Sequence, residues 1–239
     1  MFVDVAVAKV PKYPWQVSGD TLEMIERPHG GVSFVLADGQ GHGPAAKYLS
    51  HLVATKAVSL LADGVRDGAA GRATHDFLYA YRQGKVSADL TIVSVDLASK
   101  TIVLSRNSAC PLLVSTNNEL RLIDEASQPI GVYARTKPSV TELPLSEGLA
   151  VIVISDGVLE AGERYGQRLD LVSAVRALLT PSPSAQSIAD ALLAQAVALD
   201  RNMPQDDSSV LVLCTRPAYG EETTRRLHVS FPIWRPVRS

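Results

Sequence analysis

The chain has 239 residues, enough for one large domain or two small ones, and no shift in composition divides it. Hydrophobic residues make up 46%, so a sizeable core can form. Lys and Arg number 23 against 25 Asp and Glu, a formal net charge of −2, which gives no electrostatic reason to expect nucleic acid or an anionic membrane as a partner.

The longest apolar run, Gly148 to Ile154, falls far short of the ~20 residues a membrane helix needs. The first residues alternate like a strand and lack a charged region followed by an apolar stretch, so no signal peptide is expected. Two cysteines, Cys110 and Cys214, sit far apart in apolar contexts, which fits a reducing, cytoplasmic compartment better than a disulfide framework.

Val3, Val5 and Val7 alternate with small or polar residues and predict an opening strand. A loop with Pro11, Pro14 and Gly19 follows, then a strand over Thr21 to Glu26 and a turn at Pro28-His29-Gly30-Gly31. Val32 to Ala37 reads as a buried strand ending on Asp38-Gly39. Pro44 to Leu61 has one apolar face at helical spacing, with proline suited to the first helical position and Gly64 beyond the end. A second helix is predicted over Ala69 to Arg82.

Short strands then crowd together: Leu90 to Leu97, Thr101 to Ser105, Leu112 to Ser115 and Leu120 to Ile123. Residues 96–100 and 116–119 have hairpin-turn composition. Further strands are predicted at Val140 to Leu143 and Leu149 to Ile154, the latter ending on Ser155-Asp156-Gly157. Helices follow over Leu169 to Leu179 and Ser184 to Leu199, with Ser184 as N-cap and a short loop at residues 180–184. Asp206-Asp207 leads into a last core strand, Ser209 to Cys214. Strands group with strands and helices come in pairs, so the pattern predicts an α+β fold of antiparallel sheets covered by helices.

Asp20, Asp38, Asp156 and Asp206 each fall at a strand edge. Asp38 and Asp156 are each followed by glycine, whose bare backbone leaves its carbonyl accessible. Carboxylates and carbonyls are the ligands Mg²⁺ and Mn²⁺ prefer, and crowded carboxylates repel each other unless a cation lies between them. Any one Asp-Gly is more often a turn; the distinctive feature is the stretch Asp38-Gly39-Gln40-Gly41-His42-Gly43 before the helix.

That stretch, continued through Pro44-Ala45-Ala46, resembles the Asp-Gly-x-Gly-His-Gly-x-x-Ala motif of the bacterial SpoIIE/RsbX-like branch of the PPM (PP2C-type) phosphatases. Ser18-Gly19-Asp20 upstream, Ser155-Asp156-Gly157-Val158-Leu159-Glu160 downstream and Asp206-Asp207-Ser208-Ser209 at the end match its other motifs in order, over Val3 to Cys214. The resemblance implies a four-layer α-β-β-α sandwich of two antiparallel sheets, with a phosphatase domain over residues 1–216 and a C-terminal extension over 217–239. Within the extension, Arg225 to Phe231 is a candidate extra edge strand, with fraying from Pro232 onward. One departure stands out: where the family often has Asn-Ala-Gly-His-x-Pro, this chain reads Asn107-Ser108-Ala109-Cys110-Pro111, and Cys110 reads best as a small buried thiol beside the metal site.

By the same resemblance the chain is a protein serine/threonine phosphatase that hydrolyses phosphoserine or phosphothreonine with a metal-activated water. Two ions, Mn²⁺ or Mg²⁺, are implied. Asp38 would bridge them with the Gly39 carbonyl, Asp156 and Asp206 would hold the first, and Asp20 would lie near the second, partly through water. Asp207 is a neighbour of the ligands. His42 reads as an anchor of the glycine-flanked turn ahead of a proton donor. Lys9, Lys12 and Arg27 are candidates to meet phosphate, against the default of solvated charge. The implied partner is a phosphorylated protein, such as a STAS-type anti-sigma antagonist or a stressosome component, with residues 164–168 as part of the recognition surface. An inactive phosphoprotein-binding regulator of the same fold and a small-molecule phosphoesterase are the alternatives.

Overall fold

The structure, a computed structural model, describes residues 1–116, 119–179, 183–218 and 223–232. The predicted turn at residues 116–119 and loop at 180–184 lie partly outside the described residues, as does the chain from residue 233.

In chain order the strands and helices are β1 (Phe2–Val10), β2 (Thr21–Glu26), β3 (Gly31–Gly39), α1 (Gly43–Ala62), α2 (Asp67–Arg82), β4 (Ala88–Asp96), β5 (Thr101–Asn107), β6 (Leu112–Thr116) and β7 (Glu119–Ile123), then β8 (Ser139–Pro144), β9 (Ala150–Ile154), α3 (Asp156–Leu159), α4 (Leu171–Leu178), α5 (Ala185–Leu199) and β10 (Ser208–Arg216). They form two five-stranded sheets, ordered β1-β10-β9-β6-β7 and β2-β3-β4-β5-β8. Every pairing between these strands is antiparallel.

Alternation along each strand splits the interior into three cores. Leu36, Val93, Leu104, Val151, Val153, Leu211 and Leu213 fill the space between the sheets. Their sequence neighbours point the other way. Val35, Ala37, Leu90 and Ile92 pack under Leu49, Val53, Ala57 and Leu61 of α1. Ile152, Ile154, Val210 and Val212 pack under Val175 of α4 and Ile188 and Leu192 of α5. The result is helices, sheet, sheet, helices, as the resemblance implied. β9 reads as an unbroken apolar run because all five of its residues are buried, covered on both faces.

The helix ends follow local chemistry. Ser184 caps α5 by accepting from the Ser187 N–H at 3.0 Å, and Asp170 caps α4 by accepting from Ser173. Arg27 does not reach the rim where the aspartates gather. Its guanidinium pairs with buried Asp67 at 2.9 Å and donates to the Val65 carbonyl, pinning the α1–α2 turn onto the sheet. β3 ends on Asp38 and Gly39, as expected. One other expectation is corrected. Residues 223–232 form no strand: Leu227, Val229 and Phe231 alternate but stay 79%, 85% and 80% exposed, because no sheet edge covers them. An ion pair from Arg225 to Glu26 of β2 holds the segment.

Candidate active site

Register explains why the aspartates meet. Asp38 faces Asp89 across β3 and β4, and Thr21 faces Ala37 across β2 and β3. Asp20, one residue before β2, therefore continues the row opposite Asp38. Leu90 pairs with Asn107, which continues the row on the other side to Ser108. Asp38 shares the parity of Leu36, and Asp89 that of Val93, so both point toward the second sheet. The rim of that sheet supplies the rest. Asp156 follows β9, and Asp206 and Asp207 precede β10, its neighbour.

The two rims are tied together. Ser155 donates its N–H to the Ser209 carbonyl at 3.0 Å and its hydroxyl to the Asp207 carbonyl, while the Ser209 N–H returns to Ser155 Oγ. Ser209 Oγ crosses to Asp20 Oδ2 at 2.5 Å. Lys9 and Lys47 both donate to the Asp20 carbonyl, at 3.1 and 2.8 Å. Asp207 Oδ1 accepts from the Lys12 N–H at 3.0 Å, and the Lys12 ammonium lies 3.8 Å from Asp206 Oδ2. Ser108 donates to Asp89 and accepts from the Cys110 N–H.

The glycines of the motifs are where backbones must touch. A Cβ on Gly39 would lie 2.3 Å from the Ala46 carbonyl of α1, and one on Gly157 2.3 Å from the Asp207 carbonyl. One on Gly19 would lie 2.8 Å from Asp207 Oδ2. Any side chain at these three points would push the rim apart.

The electrostatics are those of carboxylates forced together. Burial first, then the charges of Asp20, Asp156 and Asp89, push the Asp38 carboxyl up to about 11. It bonds to Asp156 as the protonated partner. Burial lifts Asp20 to about 7, with the Ser209 hydrogen bond opposing and the Asp207 charge adding. Asp156 rises through burial and the charge of Asp206, and Asp89 through burial, relieved by Ser108 and Arg106. Asp20 Oδ1 and Asp207 Oδ2 are buried without any hydrogen-bond partner.

These observations fit a hard divalent cation: orphaned carboxylate oxygens, and a carboxyl raised by burial and by the negative charges around it. Among the described residues no three His, Cys, Asp or Glu side chains close on one point as a finished cage. An open set suits Mg²⁺ and Mn²⁺, which keep several waters and use few protein ligands.

Asp20, Asp38 with Gly39, Asp156 and Asp206 thus lie at the same end of the two sheets. Asp207 is more central than the sequence reading made it, fully buried beside Asp20, whereas the Asp206 side chain is 42% exposed. The sequence alone assigned no role to Asp89, Lys47, Ser108 or Ser209, the last two appearing only within motifs; β3 and β4 are joined through α1 and α2, so no hairpin turn signals that Asp89 pairs with Asp38. His42 is exposed, makes no side-chain cap bond to α1, and lies with its ring 5.5 Å from that of Trp15. Cys110 is buried, and burial together with the charges of Asp89 and Asp156 pushes its thiol far up, so no thiolate forms there. Cys214 is likewise raised by burial, to about 11.

Comparison with known proteins bears on the same region. The family profile of Stage II sporulation protein E (SpoIIE) matches residues 28–216. The Stage II sporulation protein E of Priestia megaterium is 24% identical over 212 residues, which cover 88% of this chain and 36% of that protein. This chain therefore spans about a third of that relative's length. Among solved structures, the PP2C phosphatase domain of SpoIIE from Bacillus subtilis with a fragment of its regulatory domain matches with a TM-score of 0.76 at 20% identity, covering 90% of this chain and 62% of that one. RsbX in complex with magnesium matches with a TM-score of 0.68 at 14% identity, covering 88% and 94%. At these identities the structural matches establish a shared fold.

Proposed function

Since the chain belongs to the SpoIIE family, within the PPM (PP2C-type) group, we propose that it is a metal-dependent protein serine/threonine phosphatase. The observation that carries this reading is the row Asp20–Asp38–Asp89 facing Asp156 and Asp206, with Asp20 Oδ1 and Asp207 Oδ2 buried and without a hydrogen-bond partner. Asp20, Asp38 with the Gly39 carbonyl, Asp156 and Asp206 are the residues that would hold the ions. Bound there, Mn²⁺ or Mg²⁺ would supply an activated water and neutralise phosphate charge; RsbX, of the same fold, has been crystallised with magnesium.

The chain's own residues prepare that site. Ser209, Lys9 and Lys47 hold Asp20 in place from three directions. Ser155 locks the Asp207 turn to the end of β9, so Asp156 and Asp206 keep a fixed spacing. Lys12, on the open side of Asp206, brings a cation to the mouth where a phosphate would arrive. Arg164, in the exposed segment 164–168, donates to Gln205 at 2.7 Å, next to Asp206, which supports that segment as part of the recognition surface. The sequence resemblance to the SpoIIE/RsbX-like branch favours a phosphorylated regulator of the STAS type, or a stressosome-like scaffold, as substrate.

The test is dephosphorylation of phosphoserine and phosphothreonine proteins with Mn²⁺ or Mg²⁺ against a chelated control. Turnover should vanish on chelation and return with the metal. Undiminished turnover after exhaustive chelation would refute the mechanism. Metal binding without turnover of any phosphoprotein would leave an inactive binding protein.

A further inference from the structure

The loop between β1 and β2 carries large apolar side chains in the open. Tyr13 is 60% exposed, Val17 46% and Trp15 42%, and Met203, on the loop bonded to it, is 40% exposed. This loop is not slack. The Tyr13 N–H donates to the Pro204 carbonyl at 2.8 Å, the Lys12 N–H to Asp207 at 3.0 Å, and the Trp15 N–H to the Lys12 carbonyl at 2.7 Å. The indole of Trp15 lies against the Gly41–Gly43 turn, close enough that a Cβ on Gly43 would come within 3.0 Å of it, and it tilts at 34° to the His42 ring. One part of the indole is thus clamped to the start of α1, and the rest faces solvent beside the aspartate rim.

Rigid, half-exposed aromatics fixed at a site are anchors for a partner, because they give contact area with little loss of conformational freedom. We infer that Trp15, on the loop that also exposes Tyr13 and is bonded to the loop of Met203, is the seat for a large apolar side chain next to the phosphorylated residue of the substrate. This rests on the phosphatase reading above. The occupant is a phosphoserine or phosphothreonine segment with Leu, Phe or Met two or three residues from the phosphate. The turn closed by the Trp15 N–H on the Lys12 carbonyl puts the indole on the same loop as the ammonium that meets Asp206, so an apolar residue close in sequence to the phosphorylated one is the occupant that suits it. Charge agrees with this occupant: Lys9 and Lys12 belong to the same bank as the aromatic side chains, so a doubly negative phosphate and an apolar flank are both met there. The second exposed aromatic group, Tyr48 with Tyr81 and Phe77, lies on the outer faces of α1 and α2 and has no such continuity with the rim.

The experiment compares kcat/KM, with Mn²⁺ present, for paired phosphopeptides that carry either Leu or Ser two residues from the phosphoserine. The wild-type protein should prefer the Leu peptide by about tenfold or more, the scale of one buried aliphatic side chain. Trp15→Ala should bring the ratio close to one, and Trp15→Phe should restore most of it. Because Trp15→Ala can also loosen the Gly41–Gly43 turn and slow every substrate, the ratio is the readout. Tyr13→Ala, which leaves the Trp15–Gly43 contact in place, should lower the ratio several-fold with kcat kept. A wild-type ratio near one, or a preference that survives Trp15→Ala, overturns the seat, as does loss of self-association in Trp15→Ala with the preference intact. Failure of the wild-type protein to turn over any phosphopeptide would instead overturn the phosphatase reading itself.

Discussion

Replacing Asp38 by asparagine should make the metal-free protein more stable while abolishing its activity. Asp38 is held at about 11 against an ordinary 3.8, so the chelated protein at pH 7 folds only by taking up a proton there. For a carboxyl raised on folding, stability is full below the unfolded value and is lost as pH climbs toward the folded one. From pH 4 to pH 7 that is three pH units, an upper limit of about 4 kcal/mol. The proton is shared with Asp156 and part of the rim is wet, so about 2 kcal/mol is the working figure. Asparagine needs no proton and its amide can donate the same bond to Asp156. In EDTA at pH 7 the variant should therefore melt about 4–8 °C above wild type, and the gap should shrink toward zero near pH 4. Adding Mn²⁺ should reverse the order, because wild type gains from binding and the variant gains little. Thermal melts by circular dichroism across pH 4–8, with and without metal, make the measurement. A chelated variant that melts at or below wild type at pH 7, or a gap that does not change with pH, would refute the electrostatic account of the rim.

Asp20→Asn should raise the Mn²⁺ concentration needed for half-maximal activity by about tenfold and reduce kcat less than Asp38→Asn does, read from metal titrations of the assay. Gly157→Ala should lower stability by about 1–3 kcal/mol and activity more than tenfold, because its methyl would meet the Asp207 carbonyl and Ser208 Oγ; a denaturant melt and an assay decide it. Cys110→Ser and Cys214→Ser should keep most of the activity, since both thiols are pushed up and neither has a phosphate cradle; a trapped phosphocysteine would contradict this.

The layers were legible because each strand states its own burial. The unbroken Ala150–Ile154 run declares a strand covered on both faces, and Ser184 announces α5 through a cap the structure makes. The motif aspartates were legible because glycine beside them marks backbone contact, as at Gly39 and Gly157. What stayed hidden depends on pairing between distant segments. Asp89 looks like an ordinary turn-side acid until the β3–β4 register sets it against Asp38, and Ser209 gives no sign that its hydroxyl will reach Asp20. Trp15 sits among prolines in what reads as a plain loop; only its contact with Gly43 shows it to be fixed. The alternation at Leu227, Val229 and Phe231 misled in the opposite direction, because period-two spacing predicts a strand only where a sheet edge is there to accept it.

The strand order has a consequence for how this protein comes into being. β10 is formed last in sequence yet lies inside its sheet, between β1 and β9. During synthesis, the opening strand must wait for some two hundred residues to leave the ribosome before its neighbour arrives. Until then Asp20 lacks Ser209, Asp156 lacks the turn at Asp206 and Asp207, and the facing edges of β1 and β9 have no strand between them. A nascent or prematurely terminated chain therefore carries the Asp20–Asp38–Asp89 row but lacks Asp206 and Asp207 and the ties that hold Asp20 and Asp156 to them. Hydrolytic competence would switch on with the docking of one strand, which makes each working copy a certificate that translation reached the far end of the domain.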